Sequence, residues 1–240
     1  MANKRIFFAA MAISLIVPSL AAQTTPRGGK SLKLFNGKNL DGFYTWIEGQ
    51  GKNQDADHVF TVRDGMIHVS GAHFGYFSTE QEYENYRLTV EFKWGEQTHP
   101  PREGKARDSG ILYHFVGPDK IWPKSIEFQI IEGGTGDIIL VDGATITAGG
   151  AAHTEGRIDR KGKGEWKDVA GYRDPAGEVE RPHGQWNKLE LVADGDTVKY
   201  YVNGRLVNEG TATNPRRGKI LFQSEGAEVF FRNLKLKPLK

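Results

Sequence analysis

The sequence predicts an all-β domain, a sandwich of two antiparallel sheets. Three observations carry that prediction. Short runs alternate apolar and polar residues, as a strand with one buried face must. Several runs are joined by Asp-Gly or Asn-Gly pairs, which tolerate the positive φ of tight hairpins. No window of helical length carries a 3.6-residue apolar stripe. Thirty glycines in 240 residues suit so many turns.

The first segment stands apart from that pattern. Lys4 and Arg5 precede an almost unbroken apolar run over 6–17, followed by Pro18 and the small residues Ser19, Ala21 and Ala22. This reads as a signal peptide over residues 1–22, cleaved after Ala21 or Ala22, with one domain over 23–240. The apolar run is shorter than the roughly 20 residues of a membrane span, and no second such stretch follows. No cysteine is present for a lipid anchor or a disulfide, so the expectation is export without a membrane anchor, to a periplasm or the cell exterior. Removing Lys4 and Arg5 leaves the remaining chain formally neutral, which gives no reason to expect a nucleic-acid partner.

The elements follow in order. Residues 59–63 and 66–70 flank Asp64-Gly65, and 188–193, 197–202 and 205–208 form a meander through Asp194-Gly195-Asp196 and Asn203-Gly204. Residues 86–94 alternate without a break, with Tyr86, Leu88, Val90, Phe92 and Trp94 on one face. Further strands are expected at 110–116, 125–131, 137–141, 144–147, 218–223 and 229–236. Two stretches, 95–107 and 148–183, break the rhythm and are expected as long loops at a functional rim.

The run Ser125-Ile-Glu-Phe-Gln-Ile-Ile-Glu-Gly-Gly-Thr-Gly-Asp137 carries the chemistry. Ile126, Phe128 and Ile130 alternate with Glu127 and Gln129, and Glu132 follows. Glu-x-Gln-x-x-Glu resembles the bulged Glu-x-Asp-x-x-Glu signature of laminarinase-type and lichenase-type glycosidases. Period two alone puts Glu132 on the face opposite Glu127, and one extra bulge residue near Ile130-Ile131 would return it. Gln129 cannot carry the middle charge of that signature, which weighs against an ordinary retaining mechanism with two carboxyls about 5–5.5 Å apart. A solvated sheet face with a turn acid is the plain alternative.

Several blocks together resemble the exported bacterial 3-keto-disaccharide hydrolases: LFNGKNLDGFY (34–44), RDSGILYH (107–114), WPKSIEFQIIEGGTGDI (122–138), HGQWNKLEL (183–191), YVNGRLVNEG (201–210) and ILFQSEGAEVFFRNLKLKPL (220–239). The resemblance covers nearly all of the chain after the leader. It implies a concanavalin A-like jelly roll and a sugar substrate already oxidised at C3, made by an upstream sugar 3-oxidoreductase. A 3-keto group acidifies the C2 proton; a base removes it, the enolate expels the C1 substituent, and water adds back.

Glu127 is the candidate base, with Gln129 and Glu132 completing the catalytic set. Arg107, Asp108, His114, Trp122, Lys124 and His153 are candidate substrate-binding residues. Each has a plainer reading: Asp108 as a turn cap, Arg107 as its ion-pair partner, His114 as a strand-end histidine, Trp122 as packing, Lys124 as solvated and His153 as a loop residue. Asp137 either shapes its turn or holds a divalent cation, and no other cofactor is expected. A non-catalytic carbohydrate-binding sandwich is the alternative from another class, and an ordinary glycoside hydrolase is a third.

Overall fold

A computed structural model describes residues 29–239. The expected leader over 1–22 lies outside the described residues. Eighteen strands, with no helix among the described residues, form two antiparallel sheets. The larger sheet runs through β12 (Ala151–His153), β11 (Thr145–Ala148), β16 (Arg205–Asn214), β15 (Thr197–Val202), β14 (Asn187–Asp194), β7 (Tyr86–Thr98), β18 (Ala227–Pro238), β5 (Met66–Val69) and β4 (Phe60–Arg63), with β1 (Leu32–Lys33) also beside β18. The smaller runs through β13 (Gly156–Ile158), β10 (Ile138–Val141), β9 (Ser125–Ile131), β8 (Asp108–Phe115), β17 (Lys219–Ser224), β6 (Gly75–Thr79), β2 (Phe43–Ile47) and β3 (Gly51–Lys52). This is the concanavalin A-like jelly roll.

Turn chemistry sets the register where it was expected. Arg63 pairs with Met66 around Asp64 (φ 52°) and Gly65 (φ 73°), and Val202 pairs with Arg205 around Asn203 (φ 51°) and Gly204 (φ 84°). Alternation then does the packing. Tyr86, Leu88, Val90, Phe92 and Trp94 all lie buried between the sheets, facing Ile126, Phe128 and Ile130. Phe128 of the smaller sheet stacks on Tyr200 of the larger at 4.1 Å and 4°. Each such buried side chain contributes about 1.5–3 kcal/mol, which is how a chain without disulfides holds together.

Two expectations shift. β7 continues to Thr98, so the first irregular stretch is shorter than 95–107, and β12 and β13 lie inside the stretch expected as a loop over 148–183. Also, the β8–β17 ladder slips between Lys219 and Ile220, so His114 is an extra residue with φ 56°. A bulge of this kind turns two successive side chains the same way. His114 is therefore buried beside Tyr113 and Tyr86, and Phe115 returns to the outer face against Tyr76.

Candidate active site

The outer face of the smaller sheet carries the site, because β9 alternates cleanly. With Phe128 inward, Glu127 and Gln129 must point outward, and the β8–β9 pairing from Asp108↔Ile131 to Tyr113↔Ile126 has no slip to change that. Across the sheet, Glu127 is flanked by Leu112 of β8 and Ile139 of β10, and Ile139 pairs with Arg157 of β13. Gln223 of β17 comes from the other side, since Phe222 pairs with Ile111 and the next residue stands opposite Gly110. These side chains, with Arg102, Asp108, Trp122 and Glu225, line an open cleft of about 430 Å³.

Gly110 is the floor. A Cβ there would stand 2.2 Å from Glu127 Oε1 and 2.3 Å from Gln223 Oε1, so both side chains lean into the space its missing side chain leaves. Glu127 itself is buried and makes no side-chain hydrogen bond or ion pair with a described residue. Burial first, then the carboxyls of Glu225 and Asp108, hold its own carboxyl well above the usual range, with Arg157 pulling the other way.

Asp108 is more firmly tied. Arg102 Nη2 pairs with its Oδ2, and Gln129 Nε2 donates to its Oδ1 at 2.5 Å. Burial still outweighs these partners and pushes its carboxyl up to about 7. Gln129 gives its amide hydrogens to Asp108 and to the Ser109 carbonyl, so it braces the acid cluster from within. Glu225, half-buried on the turn after β17, is pushed up to about 8, by burial and then by Asp108. Three carboxyls in one cleft thus share two guanidinium groups, Arg102 and Arg157. A cluster of this kind retains protons near neutrality, as acid–base catalysis requires.

The structure gathers Glu127, Gln129, Asp108 and Trp122 in this cleft and places the other expected residues elsewhere. The bulge near Ile130-Ile131 does not form, so Glu132 faces inward, toward Trp94 and Glu180. Its carboxylate accepts Arg107 Nη1 at 3.0 Å, Arg107 N at 2.9 Å and Gly171 N at 2.8 Å. Arg107 also donates to the Gly95 carbonyl at 3.1 Å, which commits that side chain to the same anchor. Together they fasten residues 165–183 to the end of β9.

His114 lies in the core, where burial takes its imidazole down to about 4 and Nδ1 faces the Pro215 carbonyl at 3.2 Å. Its distance from the acids follows from the bulge. His153 sits on β12 of the other sheet, beside the Ala148 carbonyl at 3.2 Å. Lys124 precedes β9, where its carbonyl accepts Val116 N at 3.0 Å, and it forms no ion pair with a described residue.

Asp137 is fully buried, with Lys163 Nζ on Oδ2 at 2.5 Å and Arg160 N on Oδ1 at 2.8 Å. Both oxygens are taken by cationic or backbone donors, which fits a structural anchor rather than a divalent cation. Among the described residues, no cluster of His, Cys, Asp and Glu has the arrangement of a metal site.

Arg102, Arg157, Gly110, Gln223 and Glu225 are the cleft residues that sequence reasoning missed. Arg102 and Arg157 lie in the two stretches expected as a functional rim. Gln223 and Glu225 lie in Phe-Gln-Ser-Glu-Gly, where the alternation that puts Phe222 inward puts Gln223 outward.

Comparison with known proteins agrees with this architecture. A structure from Parabacteroides distasonis ATCC 8503, described as a candidate glycosyl hydrolase, is 21% identical with TM-score 0.58, over 88% of this chain and 94% of that one. A second glycosyl hydrolase candidate from the same organism is 18% identical with TM-score 0.55, over 88% and 100%. A structure reported with endo-acting O-glycanases of human gut bacteria is 13% identical with TM-score 0.52, over 88% and 99%. At these identities the likeness is one of fold. No curated protein matches the sequence significantly. Residues 30–237 match the 3-keto-alpha-glucoside-1,2-lyase-like domain, and the chain belongs to that family.

Proposed function

We propose that the protein is an exported enzyme that cleaves the glycosidic bond of 3-keto glycosides by proton abstraction at C2, elimination at C1 and hydration. Family membership supports a carbohydrate-active protein. The observation that carries the finer reading is the isolation of Glu127. It is a buried, unpaired carboxyl over Gly110, and the acid just after its strand, Glu132, is turned to the opposite side and locked to Arg107. The paired acids of a laminarinase-type site are not assembled on β9, so direct displacement at C1 lacks its usual pair.

Abstraction of a proton beside a ketone asks for something else: one strong carboxylate base in a desolvated place and a cation near the developing enolate. Glu127 is that base once the cluster has shed a proton. Arg157, exposed at the same wall of the cleft and only loosely paired with Asp137 Oδ2 at 3.7 Å, is the cation on hand for the enolate oxygen. As C2–H breaks, its electron pair forms the enolate and the proton moves to Glu127. Collapse of the enolate makes the C1=C2 double bond and expels the C1 oxygen. Water then adds its hydroxyl to C1, Glu127 returns the proton to C2, and the net change is hydrolysis.

Purified protein incubated with a 3-keto disaccharide and with its unoxidised parent tests this. Sugar release is expected from the ketone alone, with a Glu127→Gln variant at least about 100-fold slower. Equal turnover of both sugars would point to ordinary glycoside hydrolysis, and saturable binding without product would point to a carbohydrate-binding module.

A further inference from the structure

Glu225 is, besides Glu127, a cleft carboxyl that no neighbouring side chain engages among the described residues. Its backbone is pinned. The turn Glu225–Gly226 joins β17 to β18, Gly226 adopts φ 82°, and a Cβ there would stand 2.9 Å from Arg102 Cγ. The Gly226 carbonyl accepts His99 N at 2.7 Å, so the 99–105 loop presses directly onto this turn. The side chain, by contrast, makes no hydrogen bond or ion pair with a described residue and opens into the cleft. Asp108 differs: both of its oxygens are engaged, by Arg102 and Gln129. A fixed backbone bearing a free carboxyl is how a proton donor is held in place.

The order of groups across the sheet gives this carboxyl a task. Moving along the pairing direction, the cleft presents Arg157 on β13, then Glu127 on β9, then Glu225 after β17, and just past its edge Phe74 precedes β6, whose Gly75 pairs with Ser224. Trp122 leans over from the 116–124 segment, its ring 6.2 Å from Phe74 and tilted 30° to it. Both aromatic side chains are half-buried and so keep an accessible face. In a 3-keto glycoside the corresponding atoms also run in one line: O3, C2, the glycosidic oxygen, then the aglycone.

Resting on the keto-glycoside reading above, we propose that Glu225 protonates the departing glycosidic oxygen. The Trp122–Phe74 pair beside it receives the leaving group, so the substrates are 3-keto glycosides whose aglycone offers an apolar face, a second pyranose ring or an arene. As the C1–O bond breaks, its electron pair stays on oxygen and takes the Glu225 proton, which releases an alcohol and leaves a carboxylate. In the hydration half, that carboxylate takes a proton from the attacking water as the hydroxyl bonds to C1. Both acids end as they began.

The test compares 3-keto glucosides with alkoxide, phenolate and nitrophenolate leaving groups. Glu225→Gln is expected to lower kcat/KM at least about 100-fold for a sugar alcohol leaving group, yet only a few-fold for nitrophenolate, which needs no proton to depart. Equal losses on all substrates would overturn the assignment. The wild-type enzyme provides a test that needs no variant to fold: kcat/KM should depend only weakly on leaving-group acidity, and a steep dependence would overturn the proposal. A wild-type enzyme that turns over none of these ketones overturns the keto-glycoside reading itself, whereas turnover with the wrong leaving-group dependence overturns only the role of Glu225.

Discussion

Glu127 and Gln223 reach from two non-adjacent strands into the space over Gly110, which lies on the strand between them. The floor of the cleft is thus defined by an absent side chain. A methyl group on Gly110 would collide with the tips of both side chains, not with backbone, so they can swing aside.

Gly110→Ala is therefore expected to cost little stability, about 1–2 kcal/mol as mild overpacking. Displacing the base by an ångström is far more costly to turnover, on the order of 100-fold. Thermal melting and kcat/KM measured on the same preparation check the pair. A variant that melts early yet keeps full activity would show that Glu127 does not need this position.

A second expectation concerns pH and stability. Asp108 rises from 3.8 to about 7, and Glu180 from 4.5 to about 8 because burial outweighs its bonds from Thr135 and Trp94. Glu225 rises to about 8, and burial holds Glu127 well above its usual range. A carboxyl raised in the folded state contributes stability that is fully present below its unfolded value and is lost as pH climbs through the folded one. The window runs from about pH 4 to about pH 8. His114, lowered from 6.5 to about 4, acts in the opposite sense, losing stability as pH falls through that window. Four acids against one histidine make the melting temperature fall as pH rises from about 5 to about 8. Glu180→Gln should raise stability at pH 8 by at least about 1 kcal/mol, roughly 2–4 °C, and leave pH 5 unchanged.

Much of the fold was legible because its signals are local. The alternation in 86–94 and 125–131, with Asp-Gly and Asn-Gly turns, fixes which residues face inward, and Glu127 and Gln129 were placed outward by the same rule. His114 was not readable in this way. Its inward turn arises from a one-residue slip against β17, about 100 residues away in sequence, which no local pattern records. Glu132 is the complementary case: plain alternation places it inward, and the glycines after it serve close packing instead of a bulge. A Cβ on Gly133 would stand 2.3 Å from Tyr172, and one on Gly136 would stand 2.6 Å from Val207. Arg102 and Arg157 reach the cleft from irregular segments whose course depends on what they pack against, so only their rim position could be foreseen.

Arg102 connects that rim to the acids, and its removal should shift the pH dependence of catalysis. It lowers the carboxyls of both Asp108 and Glu225, while also pairing with Asp168 at 3.3 Å. Without the guanidinium, the cluster binds its protons more tightly. The acidic limb of the kcat/KM profile should then move to higher pH in Arg102→Gln, by roughly a unit. An unshifted profile would mean that the acids titrating in catalysis are not the ones beside Arg102.

The Arg107–Glu132 pair offers the sharpest separation of scaffold from chemistry. Glu132 holds three donors from two segments, and His183 Nδ1 also approaches its Oε1 at 3.9 Å. Replacing it with alanine strands the Arg107 guanidinium at a largely buried position, a loss of about 3–5 kcal/mol for a broken buried pair. It also frees Gly171 N, so residues 165–183 lose a fastening point. Glu132→Ala should melt well below the wild type and be cleaved by protease within 165–183, while kcat at low temperature changes only a few-fold. Glu127→Gln should do the reverse, keeping or raising the melting temperature at pH 8 because a buried charge is no longer demanded there, and losing turnover. A Glu132→Ala enzyme that stays stable but loses kcat would return Glu132 to the catalytic set and require the 165–183 segment to move during the reaction.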